Sequence, residues 1–146
     1  MSSSFGNGLN RFQACQKLFI KFTEACYGFH TTSLYGSIMF TKRVEVRNKL
    51  NPLASDFNQK MIKEGERPWG GTLMFTAMKR AAEMLLTANC IDEETGKRKY
   101  PNAEMRENVI SDGYDGCSSY EMTEVSNFLL ENHIRIDAII VANQIA

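Results

Sequence analysis

The sequence lacks the features that most often announce a function. Its 17 basic residues are balanced by 17 acidic ones, so it has no excess of positive charge of the kind a nucleic-acid-binding face requires. The Lys97–Lys99 run and the group Lys42, Arg43, Arg47 and Lys49 read as solvated loop charges. No pair among Cys15, Cys26, Cys90 and Cys117 has C-x-x-C spacing, and neither His30 nor His133 neighbours a cysteine. That argues against a zinc site. No apolar run approaches membrane-spanning length. The opening MSSSFGNG has no basic stretch followed by an apolar one, as a signal peptide would. There are no repeats and no low-complexity linkers. A soluble, cytoplasmic protein in a reducing compartment, with no nucleic-acid or membrane partner, is the expectation.

What is present is an ordinary globular composition, 43% hydrophobic and 23% charged over 146 residues, enough for one domain with a core. From Leu9 to Tyr27, the residues Phe12, Cys15, Phe19, Phe22 and Cys26 recur at spacings of three and four, which predicts an amphipathic helix with Gly28 as its stop. Leu34, Gly36, Ile38 and Phe40 alternate, as do Val44 and Val46 beyond Thr41-Lys42-Arg43; these predict two antiparallel strands. Ser55 and Gly65 bracket a short helix. A strong helix follows from Leu73 to Ala88, with Met74, Met78, Ala81 and Leu85 on one side. The segment Asp92 to Asn102 is a surface loop. A short strand ends at Ser111. Ser118 and Glu121 have capping-box spacing ahead of a helix in which Met122, Val125 and Leu129 line up. IRIDAIIVA, from Ile134, is composed like a strand covered on both faces. Helix, strand, helix, strand in this order predicts a parallel sheet wrapped by helices.

In such sheets ligands sit beyond the carboxyl ends of the strands. Three segments would meet there: SSSFGNG, WGGT and SDGYDG. They carry mainly hydroxyls and carboxylates, with Cys117 the nearest thiol, and oxygen ligands select hard cations such as Mg²⁺, Mn²⁺ or Ca²⁺. Phe5-Gly6-Asn7-Gly8 lacks the lysine of a phosphate loop and the third glycine of a dinucleotide fingerprint. DEETGKRKYPNAE, from Asp92, places its glycine one position too early for a calcium loop. Trp69 reads equally as a rim aromatic for a partner or as a loop anchor.

Taken together, GGTLMFTAMKRAAEMLL, NVISDGYDG and FTKRVEVRNKLNPLASDF resemble the von Willebrand factor type A domain. The resemblance runs over essentially the whole chain as a single domain, residues 1–146. It implies an α/β fold, a doubly wound, mostly parallel sheet flanked by helices. It also implies a metal-ion-dependent adhesion site, built in that family from an Asp-x-Ser-x-Ser segment, a Thr in a later loop and an Asp closing a later strand. On this sequence those positions are Ser2, Ser4, Thr72 and Asp112. The motif's first Asp would stand immediately before Met1. It is absent, with the central strand that would carry it, and the chain stops before the family's last helix and strand, as a truncated domain would. A second register, with Met1 in the family's Met position, removes both serines; the first puts Leu9 where the family's helix begins.

The resemblance implies a protein–protein interaction module, not an enzyme. Its partial cation site would hold Mg²⁺ (or Mn²⁺ or Ca²⁺) weakly and offer it to an Asp or Glu of a partner protein. The alternatives are a metal-assisted hydrolase using Asp112 and Asp115, or an inert fragment of a larger protein. Without the resemblance, Asp112 reads equally well as a turn residue capping backbone amides, Asp115 as a turn or helix-approach residue, and Thr72 as a helix cap.

Overall fold

The structure, a computed structural model, describes residues 10–29, 32–66, 71–111, 115–116 and 118–141. Four helices and four strands follow one another as α1 (Arg11–Gly28), β1 (Leu34–Phe40), β2 (Val44–Pro52), α2 (Phe57–Met61), α3 (Met74–Ala88), β3 (Met105–Ser111), α4 (Met122–Glu131) and β4 (Ile134–Ile140). Ser2, Ser4, Trp69, Asp112 and Cys117 lie outside the described residues.

The start of α1 is set by Asn10. Its side chain accepts from the Gln13 amide at 2.8 Å, and the Gln13 side chain accepts in turn from the Asn10 amide at 3.0 Å. This reciprocal cap satisfies two of the N–H groups that a helix start leaves without partners. Gly28 is the last helical residue, and Phe29, in right-handed conformation, is the C-cap. Gly28 therefore does not serve as a left-handed stop. The buried face holds Phe12 and Thr23, and Phe19 stacks on Phe57 of α2 at 5.8 Å between ring centroids. Thr23 is buried because its hydroxyl is satisfied, lying 2.7 Å from Asn58 Oδ1. Helix α2 has Asp56 and not Ser55 as its N-cap, with no side-chain cap bond, and it stops at Met61, before Gly65.

β1 and β2 pair antiparallel, with register shifts on either side of Ser37. Buried Asn48 donates to Ser37 Oγ (2.6 Å) and to the Phe57 carbonyl (3.1 Å), fastening α2 to the hairpin. Helix α3 packs across β1 and β2, and Gly36 permits the approach: a Cβ there would stand 3.1 Å from the Asn48 carbonyl oxygen and 3.2 Å from Met84 Cε.

The other face of α3 helps to build the main core. Ala82, Met105, Val125, Leu129 and Ile134 are buried there, with Phe75, Met78, Leu85, Leu86, Tyr120 and Phe128 packed around them. The stripe Phe75, Met78, Ala82, Leu85 follows helical spacing. Met122, expected on the buried side of α4, is 63% exposed. β3 and β4 pair in parallel, Met105 opposite Ile134 through Ser111 opposite Ile140. His133, with φ of 56°, turns the chain from α4 into β4 in the left-handed conformation that helix ends usually give to glycine or asparagine.

The expected doubly wound, mostly parallel sheet is not formed. Among the described residues the strands make two separate two-stranded sheets, β1-β2 antiparallel and β3-β4 parallel, with four helices. Each pair is specified by its own apolar pattern and connection, but no described strand hydrogen-bonds to both pairs. β4 is likewise not covered on both faces. Only Ile134 is buried in it, while Ile136, Ile139 and Ile140 are exposed. One face carries charge instead, with Arg106 Nε 3.4 Å from Asp137 and Arg135 2.9 Å from Glu104.

On β3, Glu107 is 5% exposed, and neither of its carboxylate oxygens has a hydrogen-bond partner among the described residues. Burial disfavours its charged form and pushes its pKa up from 4.5 to about 8. The folded chain thus binds more protons than the unfolded chain between those two values, so stability falls as pH rises through that window and the loss is complete above it. Urea titrations at about pH 5 and about pH 9 are expected to differ by roughly 3–5 kcal/mol. Glu107→Gln should abolish most of that difference and be the more stable chain at the alkaline end. Equal slopes for both proteins would show that Glu107 is solvated.

Candidate functional site

Helix α3 begins without a cap of its own. Its N-cap is Leu73, which has no side-chain acceptor, and its first turn contains no acidic residue. The free amides of that turn are met from the loop after β3. Asp115 Oδ2 accepts from the Phe75 amide at 2.7 Å, and Ser118 Oγ accepts from the Thr76 amide at 3.0 Å. Asp115 also holds Ser118, taking its amide on Oδ1 at 3.0 Å and its hydroxyl on Oδ2 at 2.6 Å. A carboxylate is the right group here, because the helix dipole presents partial positive charge at this end. From the other side the Leu73 amide donates to the Thr41 carbonyl at 2.9 Å. Gly71, with φ of 95°, makes the bend into this segment in a conformation other residues rarely adopt.

The start of α3, the β1–β2 turn and the loop leaving β3 therefore meet at one end of the molecule. Thr72 lies there, half-buried and directly before the N-cap. It does not cap the helix, since no side chain at the N-cap makes that bond. Asp115, read in the sequence as a turn or helix-approach residue, instead meets the first turn of α3, forty residues earlier in the chain. Ser118 and Glu121 form no capping box: the N-cap of α4 is Glu121, with no side-chain cap bond, because the Ser118 hydroxyl is engaged on α3. Ser111, 1% exposed, ends β3 and accepts the Val141 amide on its carbonyl at 2.7 Å. Among the described residues, no group of three or more His, Cys, Asp and Glu side chains is placed to hold a metal ion. The predicted ligands Ser2, Ser4 and Asp112 are not among those residues.

Two polar features went unread in the sequence. Arg47, taken there as a solvated charge, has a side chain only 5% exposed and pairs with Glu45 at 3.0 Å and with Glu66. It sits inside because β2 turns that position inward, and a buried guanidinium needs carboxylates around it. Arg47 and Glu66 line a cavity of about 90 Å³ with Phe12, Met39 and Thr41. Their neighbouring carboxylate Glu45 was separable in the sequence only as part of an alternating polar strand face. Glu107 is the second feature, and nothing but its place between two apolar positions of a strand signalled it. Asp92, dismissed as a calcium ligand, closes its own turn by accepting from the Thr95 amide at 2.7 Å and hydroxyl at 2.9 Å. That bonding, the backbone amide first, holds its carboxyl below the usual range.

Comparison with known proteins adds little. No protein-family model matches the chain, and no curated protein does. Among solved structures, the chain is similar to an uncharacterized membrane-spanning protein from Vibrio fischeri, with 15% identity and a TM-score of 0.47. The similarity covers 96% of this chain and 61% of that one, so the chain spans less than two thirds of its length. Likeness at this level carries no argument about function. Among the described residues, no helix is long and apolar enough to cross a membrane.

The shared cap can be tested directly. Asp115→Ala is expected to destabilise by roughly 1–2 kcal/mol, and Ser118→Ala by about 1 kcal/mol. Because Asp115 positions the Ser118 hydroxyl, the double variant should lose less than the sum, by about 0.5 kcal/mol or more. Additive losses in urea denaturation would mean the two groups act independently.

Proposed function

We propose that the chain is a protein–protein interaction module of the von Willebrand factor type A kind, with a weak divalent-cation site at the start of α3. The resemblance then resides in the motif loops and not in the sheet, whose arrangement differs. One observation supports this reading above the others. The Gly-Gly-Thr segment and the loop that follows Ser111 are far apart in sequence, yet hydrogen bonds donated by the Phe75 and Thr76 amides in the first turn of α3 to Asp115 and Ser118 tie them together. Thr72, next to that first turn, and Asp115 and Ser118 are thereby held at the same end of the molecule.

The donors at this end are oxygen atoms, the chemistry a hard cation requires. Thr72 and, with it, Asp112, Ser2 and Ser4 would hold Mg²⁺ or Mn²⁺. Asp115 is not available for the task, since its carboxylate already accepts from Phe75 and Ser118. A single remaining carboxylate makes for weak affinity. The bound ion would supply a concentrated positive charge with room for one further oxygen ligand, which suits a partner's Asp or Glu. The engagement of Asp115 also weighs against the hydrolase alternative, which needs that carboxylate free to act on water or substrate.

The test is a Mn²⁺ or Mg²⁺ titration followed by thermal unfolding. At ten times the dissociation constant, binding should stabilise the wild type by about 1.4 kcal/mol, which is roughly 4–5 °C for a chain of this size. Asp112→Ala should lose the shift, and Thr72→Ala should move it to higher ion concentration. A wild type that does not respond, or an Asp112→Ala variant that responds equally, would overturn the proposal.

A further inference from the structure

β4 is composed for burial and is not buried. Of its seven residues only Ile134 is covered, and Ile136, Ile139 and Ile140 are 39%, 42% and 54% exposed. Its partner on one side is β3, and no other described strand pairs with it. An exposed apolar edge of this kind is a template for another strand, and folded proteins normally blunt it. Here the charges on the strand do the opposite of blunting. Arg135 and Asp137 are two residues apart, carry opposite signs and face the same side as Arg106 of β3.

We infer that β4 pairs antiparallel with β4 of a second copy of this chain, about a two-fold axis at Ile136. Antiparallel partners that lie opposite each other point to the same face of the sheet, so the two-fold must pass through a residue of the strand. Centred on Ile136, the register sets Arg135 opposite Asp137 of the second copy and Asp137 opposite its Arg135. The same register sets Ile136 against Ile136 and Ile134 against Ala138. Centred on Asp137, it would place two aspartates face to face, which is unfavourable. Centred on Ala138, it would leave Asp137 opposite Ile139. Complementarity of charge selects the first. The strand is self-complementary, as an isologous interface requires, and the pairing joins two parallel pairs into one four-stranded sheet, β3-β4-β4-β3.

The arrangement is independent of any cation, so the experiment is run with a chelator present. Wild type, Ile136→Lys and Ile136→Glu are compared by sedimentation equilibrium, with circular dichroism confirming that each is folded. The wild type is expected to run at twice the mass of one chain, and each variant at the mass of a single chain, because like charges meet on the axis. Mixing the two variants in equal amounts should restore the double mass, since Lys then faces Glu. A wild type of single-chain mass at high concentration would overturn the inference. So would variants that keep the double mass, or a mixture that stays at single-chain mass.

Discussion

Helix α3 carries the architecture. One side of it lies on the β1–β2 hairpin, where Gly36 lets Met84 approach the strand backbone. Another contributes Phe75, Met78, Ala82, Leu85 and Leu86 to the core shared with β3, α4 and β4. The two sheets do not hydrogen-bond to each other, so their relation is set by what they both pack against. The weak point of such a helix is its start, where four amides have no partner within the helix. Leu73 offers none. The loop after β3 supplies both acceptors, and in doing so it fastens the second sheet to the helix that already holds the first. Packing energy and the end cap thus depend on one element.

Two buried charges show how differently the same fold treats ionisable groups. Arg47 enters the interior with Glu45 and Glu66 beside it, and its charge is retained by pairing. Glu107 enters without a partner and is driven toward its neutral form instead. In the first case the ion pair links β2 to the segment that follows α2. In the second, an acid stands on β3 between core position Met105 and Val109, adding nothing to cohesion once ionised. A lone buried carboxylate is the costlier of the two arrangements.

The end of the molecule where α3 starts has the features of a site built by loops on a rigid support. Its described polar side chains, Thr72, Asp115 and Ser118, carry oxygen atoms, and the helix start favours negative charge. Asp115 accepts one hydrogen bond from the helix, from the Phe75 amide, and two from Ser118, whose hydroxyl it holds toward the Thr76 amide.

Helix periods and the hairpin of β1 and β2 were legible in the residues, because each follows from contacts between near neighbours in a repeating pattern. The Asn10–Gln13 cap was equally local and was overlooked. The alternation of helix and strand in the tail predicted a parallel pairing, which β3 and β4 form. The larger sheet expected around it is not there among the described residues. Ser118 misled for a physical reason: a serine ahead of a glutamate has the spacing to cap its own helix, but its hydroxyl finds the amides of α3 across the loop. The composition of β4 was that of a doubly covered strand, yet coverage is decided by neighbours that the strand itself does not encode. The sequence by itself determined which segments coil, which extend, and which loops carry oxygen donors. Tertiary structure alone decided that the strands form two sheets, that Arg47 is buried and paired, that Glu107 is buried and alone, and that Asp115 serves a helix. Each of those outcomes depends on contacts between residues distant in the chain, and local periodicity holds no record of them.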